Sequence, residues 1–225
     1  LKKVLGTGAF AAVAWALLIK PRTSEKPDMR GFRMYDYAHR GLHDASIGVP
    51  ENSLMAFRKA RDNGYGMELD VHLTRDGRLA VVHDSELKRV CGREGIVENL
   101  TWEELKEYRL QQTAEPIPSL EQVLELVDGQ VPVIVEIKPY RQNHGVLCER
   151  VSELLDGYAG LFCVESFDPR AVFWFRKNRP EWVRGQLSEY YNRSGEKMNP
   201  ALDFVLHHLF TNLFTAPDFV AYHVK

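Results

Sequence analysis

Cysteine is scarce in this chain, and none of Cys91, Cys148 and Cys163 stands in a metal or redox spacing. Their scatter suits free thiols and excludes a CxxC-type zinc or dithiol motif. HExxH is missing as well, as is any glycine-rich nucleotide loop, internal repeat or low-complexity tract. An excess of one charge is also missing, because 29 Lys and Arg are interspersed with 31 Asp and Glu for a net charge of −2. Nothing resembles the basic stripe of a nucleic-acid binder, so nucleic acid is not an expected partner. Arg58, Lys59 and Arg61 do cluster, but at helical spacing opposite an apolar face, as on a solvated helix surface. One globular domain behind an apolar N-terminal segment is the economical reading.

What is present is a pair of acids on a strand. In Gly66-Met67-Glu68-Leu69-Asp70-Val71-His72-Leu73 the side chains alternate faces, so Glu68 and Asp70 point one way and Met67, Leu69 and Val71 the other. Two acids on one face of an otherwise apolar strand need a cation. Val131 to Lys138 is too continuously apolar for a surface strand and sets Glu136 and Lys138 on one face near its C-terminal end. The competing reading is an ordinary Glu136–Lys138 ion pair, with Glu68 and Asp70 facing solvent from an edge strand. If the carboxylates instead converge, an oxygen-only ligand set points to a hard ion such as Ca²⁺ or Mg²⁺.

Two histidines join this set. Tyr35 to Gly41 and Leu79 to Asp84 each read as a short strand ending in His39 or His83 followed by a charged residue. Strand ends carry the chemistry in α/β domains, and imidazole exchanges protons near neutral pH. Either His alone is readily structural, whereas a matched pair near clustered acids forms a candidate acid/base couple. Arg40 adds a fork of donors suited to phosphate, and Lys138 adds a point charge. The sum is a phosphate-ester site. Glu51 precedes an amphipathic helix that stops at Gly64, and is read either as an acid favouring the helix start or as a group orienting the site. His72, on the face of Glu68 and Asp70, reads as a hydrogen-bonded structural residue.

His39-Arg40-Gly41, Pro50-Glu51-Asn52-Ser53, Glu68-Leu69-Asp70-Val71, Thr74-Arg75-Asp76-Gly77, His83-Asp84, Ile117-Pro118-Ser119-Leu120 and Glu136-Ile137-Lys138, in this order, resemble the signature of the glycerophosphodiester phosphodiesterases. The similarity runs from about Tyr35 to Tyr140 and more loosely through Glu165 to Pro169, and is closest to bacterial, membrane-anchored members. It implies an α/β fold, a TIM-type (β/α) barrel, with a divalent metal and hydrolysis of a small-molecule glycerophosphodiester to glycerol 3-phosphate and an alcohol. By position, Glu68, Asp70 and Glu136 match the metal ligands, His39 and His83 the acid/base pair, and Arg40 and Lys138 the phosphate-binding positions. Two alternatives stay open: a phospholipase C- or D-like barrel acting on intact lipid, and a noncatalytic membrane-tethered binding module.

The remaining chain alternates strand and helix. Capping-box patterns open helices at Thr101 to about Tyr108 and at Ser119 to Gly129, then a strand at Leu161 to Ser166, a helix at Pro169 to Asn178, a strand at Val183 to Leu187, a helix over Asn199 to Phe214 and a strand at Phe219 to Val224 are expected. Arg75-Asp76-Gly77 suits a tight hairpin better than a crossover, making the barrel irregular there. A complete (β/α)₈ barrel takes about 250 residues, so the catalytic portion, 34–225, is expected to be C-terminally incomplete. Residues 1–19 are expected to form a hydrophobic anchor and 20–33 a polar linker. The uncharged stretch Val4 to Ile19 would span only about 24 Å of a ~30 Å hydrocarbon core, which makes a single-pass helix marginal. Lys20, Arg22, Lys26, Arg30 and Arg33 outnumber Lys2 and Lys3, a balance that counts toward a cytoplasmic catalytic domain.

Overall fold

The paired acids reach the interior because their strand is an inner one. The computed structural model describes residues 13, 15–191 and 198–223, in two compact units. In the unit spanning Asp28–Glu165, every residue of β2 (Gly66–Leu73) is buried. It is flanked in parallel by β1 (Tyr37–Ala38) and by β4 (Val133–Ile137), which excludes the edge-strand reading. Asp70 stands opposite Glu136 in this register. β5 (Phe162–Ser166) runs parallel to β4 and sets Glu165 opposite Glu136. Adjacent strands in register stack same-face side chains about 5 Å apart, so acids spaced by two on β2 and matched on β4 and β5 must crowd together.

Local chemistry fixes the connections. The helix Leu54–Asp62 starts where the Ser53 side chain accepts the Ala56 N–H and ends before Gly64, whose φ of +73° needs no Cβ. It buries Ala56, Phe57 and Ala60 and leaves Arg58 exposed. Both expected capping boxes form, at Thr101 with Glu104 and at Ser119 with Gln122, although the first helix closes at Leu105 rather than Tyr108. The hairpin at Arg75-Asp76-Gly77 brings β3 (Leu79–Val81) back antiparallel to β2, and the Val82 N–H then donates to the Asp70 carbonyl at 3.0 Å. His83 is delivered to the acids by this reversal.

In the second unit, the helix Pro169–Asn178 precedes β6 (Arg184–Glu189), which pairs in parallel with β7 (Phe219–His223). The single helix expected over Asn199 to Phe214 is two, Pro200–His207 and Asn212–Thr215, separated at Leu209 with φ +61°. No proline or glycine marks that break, so apolar periodicity alone ran through it. Parallel strands alternating with helices in each unit give the (β/α) pattern of the TIM-type class. Among the described residues no helix is long and apolar enough to cross a membrane; most of Val4 to Ile19 lies outside them.

Gly41 shows how tightly the backbone is set beside the future site. Its φ is +78°, and a Cβ there would meet the Ala56 Cβ at 2.8 Å and the Ala56 carbonyl carbon at 2.9 Å. Gly41→Ala should therefore cost more than about 1 kcal/mol in urea-unfolding stability, and a variant of wild-type stability would mean that the turn after Arg40 is slack.

Candidate active site

Glu68, Asp70 and Glu136 each offer a carboxylate oxygen, and these oxygens lie within 4.8 Å of one another in a buried cluster. The Glu68 Oε2 accepts the Arg40 backbone N–H at 3.0 Å, while its Oε1 is buried with no hydrogen-bond partner. The Asp70 Oδ2 accepts from the Asn52 side chain at 2.8 Å. Lys138 Nζ stands 3.0 Å from Asp70 Oδ1 and 2.6 Å from Glu136 Oε1. One ammonium faces more acids than it can balance. Burial, reinforced by Asp70, Glu136 and Glu165, drives the Glu68 carboxyl well above the ordinary range. Burial likewise raises Glu136 despite the pull of Lys138, and lifts Glu165 to about 7. Asp70 goes the other way, because the opposing pull of Lys138 and His83 outweighs its burial. A buried, oxygen-only cluster with excess negative charge and one orphaned oxygen fits a divalent hard cation.

His39 follows β1 directly, with its Nε2 3.8 Å from Glu68 Oε2. His83 is partly buried, and its Nδ1 is 2.5 Å from Asp84 Oδ1. Burial alone would raise the Asp84 carboxyl, but hydrogen bonds from Arg89 and His83 hold it below the ordinary range. An ionised Asp84 only accepts, so His83 Nδ1 carries the hydrogen and Nε2 is the nitrogen left for proton exchange. Both imidazoles are lowered, His39 by desolvation and then Arg40, His83 by desolvation and then Lys138. Arg40 has a left-handed φ of +58°, as has Asn52 at +53°, whose N–H donates to the Arg40 carbonyl at 3.0 Å. Backbone held in this sparsely populated region occurs where surrounding contacts over-determine it.

Glu51 faces Arg40 and Arg89. Its carboxylate accepts from Arg40 Nη1 at 3.1 Å and from Arg89 Nη2 at 2.8 Å, two residues ahead of the helix cap. His72 is the structural residue expected, with Nδ1 2.7 Å from Glu98 and Nε2 3.1 Å from the His83 carbonyl. Sequence reasoning assigned no role to Asn52, Asp84 or Glu165, although all three sit inside quoted motifs. Arg89 had no signal at all: it lies six positions beyond His83 on the short helix Lys88–Cys91, with no periodic or motif context.

Two imidazoles, a guanidinium and an ammonium around a carboxylate cluster carried by the parallel pair β2 and β4 have the make-up of a phosphate-ester site. The chain belongs to the glycerophosphoryl diester phosphodiesterase family, whose model matches residues 39–212. A glycerophosphodiester phosphodiesterase of Bacillus altitudinis is 36% identical over 155 residues, covering 64% of this chain and 62% of that protein. The chain thus spans less than two thirds of the length of that relative. A phosphodiesterase of Oleispira antarctica, solved with its product sn-glycerol-3-phosphate, shares the fold at a TM-score of 0.66 and 21% identity, over 87% of both chains. A glycerophosphodiester phosphodiesterase of Agrobacterium tumefaciens aligns at 0.58 and 26% identity, over 68% of this chain and 66% of that one.

Proposed function

We propose that this chain hydrolyses glycerophosphodiesters to glycerol 3-phosphate and an alcohol, with His39 and His83 as the acid/base pair. The observation that carries the reading is the partnerless Glu68 Oε1 in the Glu68–Asp70–Glu136 cluster, with an imidazole from each of two strand ends beside it. Family membership supports the reaction class. Glu68, Asp70 and Glu136 would hold Ca²⁺ or Mg²⁺, which when bound supplies Lewis-acid stabilisation of charge on the phosphoryl oxygens.

The chain's own groups do the rest. Arg40 and Lys138 draw the phosphodiester to the strand ends and orient phosphorus for in-line attack. One imidazole removes the proton of the nucleophile that attacks phosphorus, a water or the substrate's own glycerol hydroxyl, as the phosphorus–oxygen bond to the alcohol breaks and the other imidazole gives its proton to the departing alkoxide. Where the glycerol hydroxyl attacks, the cyclic diester so formed is opened by water in a second step, one imidazole taking the water's proton and the other protonating the ring oxygen released. His83 exchanges its proton through Nε2, with Nδ1 committed to Asp84. Residues 4–19, flanked by Lys2, Lys3, Lys20 and Arg22, belong to the proposal as a membrane attachment; loss of vesicle co-sedimentation on deleting them is the expected result.

Substrate form is tested by offering soluble glycerophosphodiesters and intact phospholipid vesicles side by side. Release of glycerol 3-phosphate from the soluble diesters is expected. Turnover confined to intact lipid would replace this reading with a phospholipase.

A further inference from the structure

We propose that Arg89 is a positioning residue that ties the proton-transfer side of the site to its phosphate side. Its guanidinium spans two carboxylates: Nε lies 2.5 Å and Nη2 3.0 Å from the Asp84 oxygens, while Nη2 lies 2.8 Å and Nη1 3.3 Å from those of Glu51. Each carboxylate holds a second group. Asp84 Oδ1 accepts from His83 Nδ1, and Glu51 Oε1 accepts from Arg40 Nη1. The result is one chain of charge-assisted bonds, His83–Asp84–Arg89–Glu51–Arg40, with Arg89 at its centre and neither end group touching it directly.

The scaffold under Arg89 is rigid although its own side chain is half exposed. Leu87 and Val90 on either side are buried in a cluster with Val97, Leu105 and Tyr108, and Gly92 closes the short helix in the left-handed conformation. The backbone is therefore fixed without the guanidinium, and only the fork reaches the site. Arg89 meets each carboxylate through two nitrogens of one planar fork, a doubly paired geometry that the single nitrogen of an ammonium does not reproduce. Without Arg89, Asp84 would keep only its imidazole and Glu51 only Arg40. Both carboxylates would then swing, taking the His83 ring and the Arg40 fork out of alignment.

This inference rests on the reading that His83 and Arg40 serve hydrolysis. The test compares wild type, Arg89→Ala, Arg89→Lys, Asp84→Asn and the Arg89→Ala/Asp84→Asn double variant on a soluble glycerophosphodiester with added Ca²⁺ or Mg²⁺. Arg89→Ala should lower kcat by about 10- to 100-fold, and Arg89→Lys should not restore it. Adding Asp84→Asn to Arg89→Ala should cost little more, because the two act through one chain. Free guanidinium ion below denaturing concentration should recover activity in Arg89→Ala and not in wild type, a response that a misfolded variant would not give. Wild-type kcat in Arg89→Ala, or a fully additive double variant with no guanidinium rescue, would overturn the inference alone. Silence of the wild-type protein on every glycerophosphodiester would overturn the reading of the site and the inference with it.

Discussion

Replacing either His39 or His83 by alanine should lower glycerol 3-phosphate release by about 10²- to 10⁴-fold, the range in which a positioned proton-transfer group contributes. Both rings stand at the ends of short strands beside the same acids, and His39 approaches Glu68 while His83 leans on Asp84. The double variant should lose far less than the product of the two single losses, because residues that act on one transition state fail together. Neither ring lies within the hydrophobic core, so unfolding stability should stay near wild type in both variants. Steady-state kinetics on the purified variants check this, and wild-type turnover in His83→Ala would remove that ring from the reaction and return it to a structural role.

Chelation should abolish activity, and Glu68→Gln should do the same by weakening metal affinity. The effect on stability separates a metal site from a mere ion-pair network. Burial and mutual repulsion raise the folded-state Glu68 carboxyl well above its ordinary value near 4.5, and Glu136 to about 8. A group raised on folding keeps the native state proton-hungry, so its stabilisation is complete below about pH 4.5 and is lost as pH rises through the folded value. Chelated protein should therefore lose stability between pH 6 and pH 9. Asp70 and Asp84, held low in the folded state, act oppositely and only in acid, outside that window. Added Ca²⁺ or Mg²⁺ should bind the native state alone, and at 100 times its Kd would contribute about 2.7 kcal/mol. The rise in Tm on adding metal should accordingly be larger at pH 9 than at pH 6 in wild type, and should be lost in Glu68→Gln. An equal rise in both proteins would place the metal elsewhere.

Part of this was readable from the chain because β2 is wholly and β4 largely buried: alternation and apolar continuity then set Glu68 with Asp70, and Glu136 with Lys138, on one face each, whereas the roles expected of them came from the family resemblance. The hairpin at Arg75-Asp76-Gly77 was legible for the same local reason, through turn chemistry. What stayed hidden depends on contacts distant in sequence. Glu165 joins the acids only through the register of β5 on β4, and Arg89 meets Glu51 across 38 positions. Glu51 itself was ambiguous until its partners were in place, since an acid near a helix start satisfies two explanations equally. Leu209 broke an apolar stretch by adopting a left-handed φ that nothing in its side chain requires.

The most direct measurement is glycerol 3-phosphate release from soluble glycerophosphodiesters by the protein, stripped of metal with chelator and then supplied with Ca²⁺ or Mg²⁺. The account predicts no release after stripping and recovery on adding metal in wild type, with Glu68→Gln inactive at the same metal concentration. Release that continues undiminished in the stripped protein would contradict a metal held by Glu68, Asp70 and Glu136.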